Sequence, residues 1–310
     1  KGKSKMADDY YTSAEIITFN ESDLSFDISD VLNRAPLIRR LSAFAVDGTQ
    51  LKMVKKTADP SVGFRLLNDG VENDVADYTQ VTVDLAIADA SFNVDIAAAE
   101  GYRLGPAAFL ALQMRNHMEA MMFKIEQELI YGANTNGFAS LADELDAVAD
   151  ATVISAGGTT ADTGSSVWAI KTGMNDTQIA WGNQGVIEAK DTTIIRTAGS
   201  SSGHYGSYWT PVTGYCGLIY GSAWSAGRLA NLTEDSGKGL TDDLISQLLE
   251  KFPAGRGPDM LVMSRRSLGQ LQRSRTSYSP TGQPATIPDS AFNIPIILSD
   301  AVSNTEALIS

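Results

Sequence analysis

GPAAFLALQMRNHMEAMMFKIEQELIYG, residues 105–132, is the stretch from which the architecture of this chain can be read. Pro106 stands where its fixed φ suits a first helical turn, and Gly132 is the residue type that ends helices. Nothing between them breaks the helix, so roughly 26 residues rise about 39 Å, well beyond the ordinary globular mean. Phe109, Leu110, Leu112, Met118, Met121, Met122, Ile125 and Leu129 are too many apolar positions for the stripe of a surface helix. His117, mid-helix, reads as a packing residue rather than a base.

Upstream the period changes to two. Leu51–Lys56 and Val62–Leu66 read as strands, Asn68-Asp69-Gly70 supplies the turn, and a second strand pair is expected near Val81–Leu85 and Ser91–Ile96. Solvent-type residues lie on both faces of this excursion, and such a ribbon is marginal alone and wants a partner surface. Residues 1–50 form an arm in which acidic and hydroxyl residues alternate with short apolar runs. Its segment Ile28–Leu41 is amphipathic, and Leu32, Leu37, Ile38 and Leu41 can be buried only against something else. A long ribbon joined to a long helix is a shape for reaching neighbours.

Downstream come a turn at Gly132–Phe138, a short acidic helix over Leu141–Ala149 and a Gly/Thr/Ser-rich loop over Ala156–Ser166. Strands are expected at Val167–Thr172, Gln178–Trp181 and Thr192–Arg196, and a further ribbon from Tyr208 to Leu232. Trp168, Trp181, Trp209 and Trp224 read as packing anchors rather than ligand stackers. A helix over Thr241–Phe252 opens on an N-cap with Asp242 and Asp243 matched to the dipole, and Pro253 ends it. Strand Met260–Met263, a helix over Arg265–Arg275 and strand Ile294–Leu298 close the chain. No fixed-period repeat appears.

At 310 residues the chain can bury a large core in one or two domains. No apolar run is long enough to span a membrane, and the basic start Lys1–Met6 lacks the apolar region of a secretory signal. Cys216 is the single cysteine, so no intrachain disulfide forms, in keeping with a reducing cytoplasm. A formal net charge of −13 argues against a dedicated nucleic-acid binder, since phosphate contacts demand a basic face.

The chemistry of common sites is missing. Gly237-Lys238 lacks both the upstream glycine and the following Ser/Thr of a phosphate loop, and neither a dinucleotide fingerprint nor a nucleophile elbow occurs. With His117, His204 and Cys216 alone, zinc has too few ligands. His204 reads as a solvated loop residue. Asp143, Glu144 and Asp146, like Asp242 and Asp243, lack the spacing of a calcium loop and read as helix faces and caps. Arg265, Arg266, Arg273 and Arg275 form the strongest basic cluster, read as a solvated face, with a carboxylate of another subunit or a phosphate as the functional alternative. No catalytic, cofactor-binding or metal-binding residue is expected, and no cofactor.

Several stretches stand out in order: Val62–Gly70, then Asp89–Asp95 leading into Gly105-Pro106, then Gly132–Asn134 with Asn136–Phe138. Ser166–Gly173, Arg228–Leu232 and Ile294–Ile296 through to Asn304–Glu306 complete the set. In this order and spacing the chain resembles the tailed-bacteriophage major capsid protein family with the HK97-like fold, over essentially all of residues 6–310. The resemblance implies an α+β fold with an N-terminal arm (1–50), an extended β-hairpin loop (51–100), the spine helix of a peripheral domain (101–132), and an axial domain with returning peripheral-domain strands (133–310). It implies a subunit that assembles into pentamers and hexamers of an icosahedral head enclosing double-stranded DNA, which it contacts only non-specifically. Portal and scaffolding proteins, a decoration protein, the virion as location and the bacterial host cytoplasm as site of assembly come with it; a membrane partner does not. Some relatives crosslink a loop lysine to a neighbour's asparagine, whereas Lys52, Lys55 and Lys56 here lie near the base of the loop. An encapsulin-like compartment is the alternative within the fold, and a soluble enzyme using the acidic helix residues is the alternative outside it.

Overall fold

The computed structural model describes residues 31–58, 60–70, 74–132, 134–198, 203–277 and 283–310, so the arm's first thirty residues lie outside the description. Along the chain the strands are β1 (Ser42–Ala45), β2 (Gln50–Ala58), β3 (Asp77–Asp84), β4 (Ala86–Asp89), β5 (Phe92–Asp95), β6 (Val153–Ser155), β7 (Ser165–Ile170) and β8 (Thr177–Trp181). They continue with β9 (Glu188–Ala189), β10 (Thr193–Ala198), β11 (His204–Thr210), β12 (Val212–Tyr220), β13 (Ala226–Leu232), β14 (Met260–Met263), β15 (Ser290–Ala291) and β16 (Ile294–Leu298). The α-helices are α1 (Pro36–Arg40), α2 (Ile96–Glu100), α3 (Pro106–Tyr131), α4 (Leu141–Glu144), α5 (Asp242–Glu250) and α6 (Arg265–Ser277).

The expected long helix is present as α3, 26 residues from Pro106 to a left-handed Gly132 (φ 58°) whose N–H bonds the Glu128 carbonyl. Its two halves differ. Up to His117 it is half exposed, whereas Met118, Met121, Met122, Ile125, Glu126, Glu128, Leu129 and Ile130 are buried. Leu32, Leu37, Ile38 and Leu41 cover part of that second half and are themselves inaccessible. The amphipathic segment thus finds its partner surface within the chain, as far as residues 31–41 are concerned.

A sheet in the order β15-β16-β14-β7-β13-β6 is the central layer. Its period-two pattern sorts side chains onto two faces. Trp168, Ile170, Met260 and Val262 join the core under α3. Val167, Ala169, Leu261 and Met263 join a second core with Ile245 and Leu248 of α5, Phe252 just beyond it, and Leu268 and Leu271 of α6. Both faces being covered, β7, β13 and β14 are buried along their whole length. A second sheet runs β1-β8-β12-β4 with β9 on β12, a third β10-β11-β5, and β2 pairs with β3 alone.

Four expectations are corrected. Val62–Leu66 is not a strand; β2 pairs instead with β3, from Gln50 opposite Asp84 to Ala58 opposite Asp77, and Lys52 lies opposite Thr82 towards the base. The anticipated pairing of Val81–Leu85 with Ser91–Ile96 does not occur, because β5 pairs with β11 and β4 with β12. The Tyr208–Leu232 ribbon is three strands in three sheets: Pro211, lacking an N–H, separates β11 from β12, and β13 crosses to the central sheet. The acidic helix opens on a capping box between Ser140 and Asp143 but stops at Glu144, where the Asp150 carboxylate accepts the Ala147 N–H and offers the backbone a turn instead.

Candidate assembly interface

The β2–β3 ribbon is built on a nine-residue strand, about 30 Å long. At its tip, Val62, Phe64, Leu66 and Leu67 are exposed, Phe64 completely. The tip is nevertheless organised. Asp69 N–H donates to the Leu66 carbonyl at 3.2 Å, the Arg65 guanidinium to the Asp69 carbonyl at 3.1 Å, and Ser61 N–H to the Asp74 carboxylate at 2.6 Å. An apolar set held out on an ordered ribbon and left exposed by the described residues marks a contact surface.

Behind this surface two buried polar centres lock the body of the chain. Glu126, fully buried on α3, accepts the Leu37 and Ile38 N–H groups at 2.9 and 3.3 Å. The Ser299 hydroxyl donates to its other oxygen. Leu37 and Ile38 open α1 and have no helical acceptor of their own, so a carboxyl distant in sequence caps that helix. Burial raises the Glu126 pKa from 4.5 to about 7; the three hydrogen bonds oppose the rise and the Asp300 charge adds to it. The folded chain therefore holds this proton more tightly than the unfolded chain. The resulting stabilisation is complete below the unfolded value and is lost as pH rises through about 7, roughly 3 kcal/mol in all. Denaturant midpoints are expected to fall between about pH 4.5 and pH 7, and Glu126→Gln should flatten that fall. An unchanged slope in the variant would assign the pH dependence elsewhere.

The second centre ties down the C-terminal segment. Arg228, in the buried β13, donates to Ser166 Oγ at 3.0 Å, the Leu145 carbonyl at 2.9 Å and Glu306 Oε2 at 2.9 Å, with its plane 4.8 Å over Trp168. Glu306 also accepts from Ser166 Oγ at 2.6 Å and from the Tyr131 hydroxyl, and that hydroxyl accepts the Ser303 N–H at 2.9 Å. Burial, with the Glu306 charge, pushes the Tyr131 phenol well above its ordinary range. Further along, Asn231 adopts a left-handed conformation (φ 58°) at an irregularity in β13, and its amide bonds both the N–H and the carbonyl of Ile309.

The residues singled out in the sequence are dispersed. His117 stacks on Phe92 with ring centroids 5.0 Å apart, a packing role. His204 begins β11 opposite Ala198 rather than lying in a loop, though it is exposed. Cys216 is buried, which pushes its thiol up to about 12. Asp242 grips Arg275 in a two-pronged pair at 2.6 and 2.7 Å, and Arg266 donates to the Thr163, Leu232 and Asn304 carbonyls. Half of the expected solvated arginine face is thus engaged inside the chain, leaving Arg265 and Arg273 exposed. Trp168 and Trp181 are buried anchors, but Trp209 and Trp224 are each 38% exposed. Among the described residues no three His, Cys, Asp or Glu side chains converge as metal ligands, and no helix is long and apolar enough to cross a membrane.

Sequence reasoning missed Glu126, Arg228 and Glu306. The usable signals were a glutamate inside the all-round apolar half of α3 and an arginine inside the apolar strand Ala226–Leu232, positions where any side chain is buried.

A family profile described as major capsid protein GP7 matches residues 43–310. No curated protein matches the chain. A solved structure of bacteriophage epsilon15 superposes with a TM-score of 0.65 at 17% identity, covering 93% of this chain and 98% of that one. At that identity the likeness speaks to the fold. The capsid of bacteriophage JBD30 aligns over 91% of this chain and 96% of its own at 11% identity, TM-score 0.47.

Proposed function

Since the chain belongs to the family of the major capsid protein GP7, we propose how it builds a shell. It is a phage major capsid protein of the virion with the α+β HK97-like fold, and the family match favours that reading over the cargo-holding compartment. In our reading, copies close into pentamers and hexamers, and these into an icosahedral head around double-stranded DNA. Residues 1–50 serve as the arm, 51–100 as the extended loop, 101–132 as the spine of the peripheral domain, and 133–310 as the axial domain with returning peripheral strands. One observation carries this: a ribbon that stands on a rigid body and holds apolar side chains that the rest of the described chain leaves exposed.

The buried charges support a structural rather than catalytic role, because Glu126, Arg228 and Glu306 are occupied by internal hydrogen bonds. A net charge of −13 keeps contact with packaged DNA weak and non-specific. A single buried thiol fits assembly in the reducing host cytoplasm. Portal, scaffolding and decoration proteins are the further partners this reading implies. Purified protein examined by size-exclusion light scattering and negative-stain microscopy is expected to show closed particles, or rings of five and six. A monodisperse monomer or dimer that neither scaffold nor crowding converts to shells would overturn the reading.

A further inference from the structure

Residues 31–40 have two sides of opposite character. Leu32, Leu37 and Ile38 are inaccessible in the core under α3, and Val31 and Ala35 are buried with them. The exposed residues of the segment are Asn33, Arg34, Arg39 and Arg40, and no acidic residue occurs from Val31 to Val46. In a chain of net charge −13 this is a local reversal of sign. The Arg34 guanidinium lies 4.8 Å over the Phe123 ring and approaches Glu119 only to 3.9 Å, with 54% of its side chain exposed. The Arg39 and Arg40 guanidinium groups have no ion pair or hydrogen bond among the described residues. The backbone that carries them is nevertheless fixed, because Glu126 caps the start of α1 and Leu41, inaccessible too, closes its end. Charges on an anchored backbone give up less freedom on meeting a ligand than charges on a loose loop.

A guanidinium is a donor without an acceptor, and its planar fork matches the oxygens of a phosphate or a carboxylate. Two features favour phosphate. Nothing apolar is exposed within residues 31–40 to seed the desolvated centre of a protein–protein contact. Arg39 and Arg40 are also adjacent, about 3.8 Å apart at Cα, with Arg34 on the preceding turn, so the charges form a short row suited to successive phosphates. We propose that the α1 face, through Arg39 and Arg40 with Arg34 beside them, is where this chain touches the phosphate backbone of the enclosed double-stranded DNA. The contact carries no sequence preference, because phosphate oxygens are the same at every base pair. It is weak for one copy and is repeated over the many copies of a shell. The inference rests on the shell reading and names the surface that reading leaves unassigned.

The test titrates the purified chain into a fluorescent duplex of about 30 base pairs between about 20 and 150 mM salt. The logarithm of the binding constant should fall against that of salt with a slope of about −2 to −3, as three phosphate contacts require. Arg39→Glu with Arg40→Glu should weaken binding at least about tenfold at the lowest salt and bring the slope towards about −1. Arg103→Glu with Lys251→Glu, exposed positions on other elements, makes the same change in net charge and should leave the slope near the parent's. No binding by the parent, or equal losses in the two variants, would overturn the contact. In DNA-filled particles, Arg40→Lys keeps the charge and supplies an amine for formaldehyde. Adducts of residue 40 with DNA sustain the proposal, whereas adducts with protein alone, or none, overturn it. Well-formed particles lacking DNA adducts sink this contact and leave the shell reading standing; a chain that forms no particles sinks the shell reading, and with it the DNA contact.

Discussion

Replacing residues 59–76 by a two-residue Asn-Gly turn is expected to leave a folded chain that no longer assembles. The graft is sterically simple, because Ala58 and Asp77 are already paired across the ribbon and Asn-Gly suits a tight hairpin. The body should keep its circular dichroism and denaturant midpoint, since Val62, Phe64, Leu66 and Leu67 are exposed and lend the isolated chain little burial. Assembly is another matter. Covering those four side chains on a neighbour is worth roughly 6–12 kcal/mol gross, before the costs of association. Repeated at every subunit of a closed shell, its loss should remove particles altogether by light scattering and microscopy. Particles of normal yield and size from this variant would make the tip ornamental and sink the main argument for the assembly surface.

The largest effect on the isolated chain is expected at Arg228. Arg228→Met keeps much of the side-chain volume over Trp168 but leaves Glu306 buried beside Ser166 and the Tyr131 phenol, without its cation. Breaking one side of a buried pair typically costs about 3–5 kcal/mol, chiefly because the remaining charge is uncompensated. Chemical denaturation should show that loss, together with earlier proteolysis of the C-terminal segment that Glu306 anchors. Arg228→Met combined with Glu306→Gln should recover much of it, because no unpaired charge is left in the interior. A single variant within about 1 kcal/mol of the parent would mean that the pair is not what holds the segment.

Glu126 and Arg228 act on the same rigid body from different sides. The first joins residues 37 and 38 to α3 and Ser299; the second joins β7, β13 and α3 to Glu306. Both chain-distal segments are thereby held by buried hydrogen bonds rather than by surface ion pairs, which at Arg34–Glu119 (3.9 Å, half exposed) are worth a fraction of a kcal/mol. A body fixed in this way lets the ribbon transmit a contact at its tip without the base giving way.

Much of the architecture was legible before any coordinates. Pro106 and Gly132 bounded the long helix, Thr241 capped α5, and the strand-like runs around Val167–Ile170, Gln178–Trp181 and Ile294–Leu298 are strands. Strand partners were not legible: nothing within Phe92–Asp95 says that it lies against β11, and nothing within Val212–Tyr220 says that it lies between β8 and β4. Nor was the 78-residue reach from Arg228 to Glu306, or the close approach of the Glu128 carboxylate to Gly137, which depends on the missing Cβ there. Most element boundaries could be read from local chemistry, because caps, turns and side-chain periodicity act over a few adjacent residues. Which strands pair, which charges are buried and which apolar residues are left uncovered emerged from the folded chain alone. Those outcomes are differences in free energy between arrangements of the whole chain, in which desolvation and packing by distant segments outweigh any local preference.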